Sequence, residues 1–215
     1  MQRSIPKGRR KHDTRQRVLK AAAELFATCG YAATSISAIR RASGVLPSSM
    51  YWEFGNKAGI FAAVLEDSAE RWLEQSTRSV VRAMRDRPGS NIDRLAAYFD
   101  YMAEALTEGP EFLRLMLMVA LERRHADPRA IEIVRSHRAR SVETVAGLFA
   151  AFGLEQPGPD GVTARDVALL TIACFDGAFA AAQIDADAAD LRRMFMLLYS
   201  TMTAALLVSQ TPKSQ

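Results

Sequence analysis

The sequence predicts an all-α chain of about nine helices: a three-helix head joined by one long helix to a larger, antiparallel helical body. Three observations carry this. Apolar residues recur at i, i+3, i+4 and i+7 along most of the 215 residues. No stretch keeps a period of two between turn residues, so no sheet is expected. Gly and Pro interrupt the pattern at intervals of one helix length.

The elements follow in order. From Thr14 onward, Val18, Ala21, Ala22, Leu25, Phe26 and Cys29 make one apolar stripe, with Asp13 as N-cap and Gly30 as the stop. A second helix over residues 35–43 turns Ile36 and Ile39 inward, is capped by Thr34 or Ser35, and leaves through a left-handed Gly44. Pro47 opens a third helix, where its missing N–H costs nothing, and Gly55 ends it after Phe54. Asn56 then caps a long helix carrying Ile60, Phe61, Val64, Leu65, Trp72, Leu73 and Val80, which stops before Pro88-Gly89. Gly59, in the first turn of that helix, softens the joint between head and body. Residues 92–107, 111–122, 128–152, 163–184 and 187–209 read as five further helices, and 155–161 as the clearest loop. No internal repeat is visible.

Composition narrows the class. With 49% hydrophobic and 24% charged residues, 12 Gly and 8 Pro, the chain is neither disordered nor a low-complexity polymer. Cys29 and Cys174 cannot build a disulfide framework, which points to a reducing compartment. The apolar runs 112–121 and 164–184 contain Arg114, Arg165, Asp166 and Asp176, so no membrane span is expected. The basic start is followed by no apolar segment, so no signal peptide is expected either, and the chain reads as cytoplasmic. The net charge of +4 conceals an asymmetry. Residues 1–61 hold 11 basic and 3 acidic side chains, whereas residues 62–215 hold 17 and 21. A head at +8 on a body at −4 suits nucleic acid or an anionic membrane, or serves solubility alone. The same boundary, 1–61 and 62–215, is taken for the two domains.

Residues 35–54 have the layout of a helix-turn-helix, with a Gly-containing turn before a second helix able to enter a major groove. Ile39 and Val45 wedge the crossing, and Ala42 allows close approach. Met50 and Phe54 turn inward, leaving Ser48, Ser49, Tyr51, Trp52 and Glu53 outside. Two outward aromatics on a solvated helix suit a DNA counterpart, with the Tyr51 hydroxyl and Trp52 indole N–H as donors to phosphates or base edges.

The residues Thr34-Ser35-Ile36, Ile39, Ala42-Ser43-Gly44-Val45, Ser48–Phe54 and Lys57 resemble the signature of TetR/AcrR-type transcriptional regulators. Residues 14–31, ending Ala23-Glu24-Leu25-Phe26 and Gly30-Tyr31, resemble that family's first helix. The resemblance covers about residues 13–66; beyond them only helical layout and length agree. It implies that Thr34 caps the second helix and touches a phosphate, that Tyr51 grips the backbone, and that Ser49 and Trp52 meet phosphates or bases. It further implies that Lys57 adds its charge to helix-end N–H groups at a phosphate. Arg9, Arg10 and Lys11 precede the first helix and are candidates to follow the backbone or enter a minor groove. Departures are Arg40 in place of a small residue, expected to be exposed and to add a phosphate contact, and Leu46-Pro47 in place of a more polar turn. Ser48, Ser49 and Trp52 are the candidates for base contact.

A helical body behind a DNA-reading head has two tasks, dimerisation and ligand binding. The last two helices are expected to pair with those of a second copy in a four-helix bundle, through Gly177, Ala178, Ala181, Leu191, Met194, Leu198 and Met202. An effector pocket is expected among Trp72, Tyr98, Tyr101, Met102, Phe112, Met116, Phe149 and Phe175, although such stripes also make ordinary core. Asp176 reads as a carboxylate satisfied at a helix end or the dimer seam. His12, His125 and His137 are scattered, and no metal cluster, phosphate loop or nucleophile elbow appears, so neither enzyme, cofactor nor metal is expected. The reading is a ligand-responsive regulator, most simply a repressor, that binds a palindromic double-stranded operator as a homodimer and is released by a small hydrophobic effector tilting the fourth helix. The alternative is a helical interaction protein in which DNA binding is loose or secondary.

Overall fold

The computed structural model describes residues 7–86, 89–108, 110–121, 127–151, 161–185 and 190–209, and among them it is all α-helix with no strand. The helices are α1 (Lys7–Ala33), α2 (Ile36–Ser43), α3 (Pro47–Phe54), α4 (Lys57–Asp86), α5 (Asn91–Thr107), α6 (Glu111–Leu121), α7 (Pro128–Phe149), α8 (Ala164–Ile184) and α9 (Leu191–Ser209). They form two compact units. The first comprises Met1–Arg71 with Glu111–Ser136, the second Trp72–Pro110 with His137–Gln215.

Local chemistry sets the helix ends. Ser35, not Thr34, caps α2 by accepting from the Ala38 N–H, and Gly44 closes it in the left-handed region. Pro47 opens α3, and Asn56 Oδ1 accepts the Gly59 N–H at 2.8 Å to cap α4. Ser90 with Asp93, and Thr163 with Asp166, complete reciprocal capping boxes on α5 and α8. Two expected starts move. Asp13 lies inside α1 rather than capping it, because the residues from Lys7 are mostly good helix formers. For α9, Asp190 accepts the Arg193 N–H, and the helix begins at Leu191 rather than at 187. The expected end of α7 at 152 and most of the 155–161 loop lie outside the described residues.

In the first unit α1 packs against α2 and α6. Phe26, Tyr31 and Phe61 form a ring cluster with centroids 4.9–5.7 Å apart, and Ile39, Val45, Met50 and Leu65 are buried. In the second unit α9 packs on α5 and α8. Its core holds Tyr98, Phe99, Phe175 and Phe195, with Phe175 stacked on Phe195 at 4.3 Å. Arg192 clamps Asp100 through two contacts of 2.6 and 3.0 Å.

Among the described residues α8 alone is long and apolar enough to cross a membrane, by length and composition only. Arg165 and Asp166 stand in its first turn, leaving Asp176 as the one ionisable carboxylate or base beyond them. Asp176 is satisfied, but in the middle of α8 by an ion pair with Arg138 of α7 in the same unit, rather than at a helix end or a dimer seam. Burial pushes its carboxyl above the usual range, and the arginine pulls it back.

His137 gives this unit a pH dependence. Burial, then the Arg140 and Arg138 charges, lower its pKa from 6.5 to about 4, so the folded protein holds it neutral. The unfolded chain binds the proton first, so stability falls as pH drops from about 6.5 to about 4, by up to about 1.4 kcal/mol per unit. Melts of wild type and His137→Gln between pH 7 and 5 should diverge, the variant lacking this part of the slope; parallel profiles would exclude it.

Candidate nucleic-acid interface

The helix-turn-helix is held from behind. Arg17 Nη2 donates to the Ser43 carbonyl at 2.6 Å, binding α1 to the C-terminal turn of α2. Ser43 Oγ accepts the Val45 N–H across the turn. Ile39 and Val45 are buried at the α2–α3 crossing, as expected, while Ala42 is exposed and contributes nothing to it. Met50 fixes α3 from the inside, and Phe54 is half-buried, with the Arg15 guanidinium 5.4 Å over its ring and 3.6 Å from Glu53.

With its inner side so anchored, α3 presents Ser48, Ser49, Tyr51 and Trp52 to solvent; Tyr51 is 52% and Trp52 74% exposed. A recess of about 500 Å³ runs beside them, lined by Arg15, Val45, Ser48, Ser49, Trp52 and Glu53 among others. Arg40 is exposed in the last turn of α2, and so is Arg41, which the sequence pattern did not single out although it stands beside it. The exposed side chains of α2 and α3 include hydroxyls, an indole and two guanidinium groups, the donor types that meet phosphates and base edges. Arg9, Arg10 and Lys11 have side chains outside the described residues.

Two expected contacts are turned inward. Thr34 is 2% exposed, and its hydroxyl donates to the Gly30 carbonyl at 2.8 Å and the Leu25 carbonyl at 3.2 Å. The kink at Gly30 (φ 81°, ψ 165°) leaves these acceptors open at the end of α1, and Thr34 fills them instead of capping α2. Lys57 likewise spends its ammonium on the end of α1 and the link that follows it, donating to the carbonyls of Tyr31 and Thr34 at 3.0 Å each. Gly59, read as a soft joint, is a tight one: a Cβ there would stand 1.9 Å from the Phe54 carbonyl oxygen.

The body candidates separate. Of the eight pocket candidates, Trp72, Tyr98, Met102, Phe112, Met116, Phe149 and Phe175 are buried, and Tyr101 is half-buried beneath the Arg82 guanidinium at 4.3 Å. Phe112 and Met116 belong to the first unit and the other six to the second. Of the dimer candidates, Ala178, Leu191 and Met202 are corrected: they are core of their own subunit. Gly177 and Met194 face outward, and Ala181 and Leu198 are intermediate. The outward apolar residues absent from the expected set are Leu169, Leu170 and Ile184 on α8 and Leu197 on α9. Their signal is a second stripe, opposite the buried Val167, Thr171, Phe175 and Ala178.

Among known proteins, residues 18–64 match the family described as bacterial regulatory proteins, tetR family. The HTH-type transcriptional regulator SrpR of Pseudomonas putida is 32% identical over 83 residues, 34% of this chain and 39% of that protein. AcrR of Shigella flexneri is 37% identical over 54 residues, a quarter of each chain. The chain thus matches well under half the length of either relative. The crystal structure of a TetR transcriptional regulator from Chloroflexus aurantiacus J-10-FL superposes with a TM-score of 0.74 at 28% identity, over 91% of this chain and 96% of that one. These are regulators rather than enzymes.

Proposed function

We propose that this chain, whose residues 18–64 match the tetR family of bacterial regulatory proteins, is a cytoplasmic transcriptional repressor that binds a palindromic operator as a homodimer and is released by a small hydrophobic effector. Residues 1–61 read DNA in this account, and residues 62–215 sense and dimerise. The observation that carries it is the outward face of α3, where Tyr51 and Trp52 stand exposed on a helix whose other side is locked by Met50, Val45 and Ile39. Exposed aromatics cost a free protein solubility and contribute nothing to its core; against a groove they supply donors and contact area. Ser48 and Ser49 complete the base-facing set. Arg40 and Arg41, with the basic residues Arg9, Arg10 and Lys11, supply charge for the backbone.

The dimer is assigned to the outward faces of α8 and α9, and the effector to the aromatic interior of the second unit. An effector preferring one head spacing a hundredfold shifts the equilibrium by about 2.7 kcal/mol, enough to vacate an operator.

Selection of genomic fragments by the purified protein, followed by footprinting, tests the reading: an inverted repeat should be protected. Trp52→Ala should leave the melting temperature unchanged, as surface changes do, within about 0.5 kcal/mol. It should cost about 1–3 kcal/mol of affinity per head. Arg40→Ala should instead lower the log–log salt slope by about 0.9 per head. Undiminished binding by Trp52→Ala would sink the reading.

A further inference from the structure

We propose that Lys57 is a positioning residue for DNA recognition: its ammonium ties the α1–α2 joint to the first residue of α4, and it acts through that joint instead of meeting a phosphate. This rests on the head being a DNA reader. Nζ lies 3.0 Å from the Tyr31 carbonyl oxygen, 3.0 Å from that of Thr34 and 3.4 Å from that of Ala32, and it sits 4.4 Å from the Tyr31 ring centre. A lysine ammonium has three N–H donors and no acceptor. Three carbonyls take all three, while the ring covers a further side of the cation. A phosphate could be met only by giving up one of these bonds.

The acceptors explain why the tie matters. Tyr31 and Ala32 belong to the last turn of α1, whose carbonyls have no intrahelical donor. The Thr34 carbonyl immediately precedes Ser35, the cap of α2. A single side chain from α4 therefore satisfies the end of one helix and fixes the entry of the next, and α2 in turn sets α3 through Ile39 and Val45. A shift in the first turn of α4 is carried directly into the joint that orients the reading helix.

Lys57→Met and Lys57→Arg separate the two roles. A planar guanidinium cannot direct three donors at carbonyls grouped around one point, but it meets a phosphate at least as well as lysine does. Affinity is measured for a random-sequence duplex of about 30 base pairs and for a genomic fragment recovered by the wild type, at temperatures where circular dichroism shows each variant folded. Positioning predicts that both variants lose about tenfold or more on the genomic fragment, with the wild-type salt slope on both duplexes. Amides of residues 31–38 should also exchange faster in the DNA-free variants. A slope lowered by about 0.9 per head in Lys57→Met and restored in Lys57→Arg overturns the proposal in favour of a phosphate contact. So does unchanged affinity with a lowered melting temperature, which would make Lys57 a brace only. Should the wild type bind neither duplex, the DNA reading itself falls; faster exchange at 31–38 would then still support the tie, and wild-type exchange would overturn it.

Discussion

Leu170→Glu is expected to give a folded monomer that no longer holds its operator. Leu170 is 58% exposed on the outward stripe of α8, away from the face that buries Val167, Thr171, Ile172 and Phe175, so a carboxylate there meets water in the isolated chain. Its stability should stay within about 0.5 kcal/mol of wild type. In a two-fold interface the same carboxylate appears twice and leaves water without a partner, which costs several kcal/mol. A dimer dissociation constant raised by more than about a hundredfold follows. Operator affinity falls with it, because the second head no longer binds at the effective concentration set by the first. Leu197→Glu tests α9 in the same way, since Leu197 is 60% exposed there. Sedimentation at several concentrations, with binding to the selected fragment, reads both. A variant that stays dimeric would remove the α8–α9 face from the interface.

The same residues mark where the sequence is legible and where it is not. Cap chemistry and helix breaks are local, so Gly44, Pro47, Asn56 and the Thr163 start of α8 are readable from a few neighbouring residues. The outward set on α3 is readable for a related reason: one side of that helix is apolar enough to be core, and the remainder must face out. Phasing fails where both faces of a helix are apolar. On α8 and α9 the periodicity fits two stripes, and the pattern does not say which of them meets the subunit's own core. Periodicity therefore offers Ala178, Leu191 and Met202 to a partner although they lie inside. Thr34 and Lys57 escape it differently. Thr34 bonds carbonyls beside the Gly30 kink, and Lys57 reaches the Tyr31 and Thr34 carbonyls between α1 and α2 from more than twenty residues away in sequence, where no spacing rule applies.

Gly59 shows how far a local rule can mislead, and it yields a prediction of opposite sign to that of a second helical glycine. In an open helix Gly→Ala gains up to about 1 kcal/mol by restricting the unfolded chain and restoring helix propensity. Gly147, inside α7, should show that gain, because a Cβ added there would meet nothing within 4 Å. At Gly59 the added carbon would lie 1.9 Å from the Phe54 carbonyl oxygen, which already accepts the Asn56 N–H at 2.9 Å in a tight turn about Gly55 (φ 78°, ψ −56°). That oxygen belongs to backbone and cannot swing aside, while the Asn56 cap fixes Gly59 from the other side. Relief requires opening the turn or releasing the cap. A lost cap costs about 1 kcal/mol and overpacking about 1–3 kcal/mol, against the propensity gain of about 1 kcal/mol. The net is a head destabilised by about 1–3 kcal/mol. Because Lys57 stands two residues before Gly59, the strain also moves the ammonium off its carbonyls, so operator binding should weaken at temperatures where the variant is still folded. Thermal melts and fragment binding of Gly59→Ala beside Gly147→Ala decide the matter. If both substitutions stabilise, the tight joint between α3 and α4 does not exist in solution.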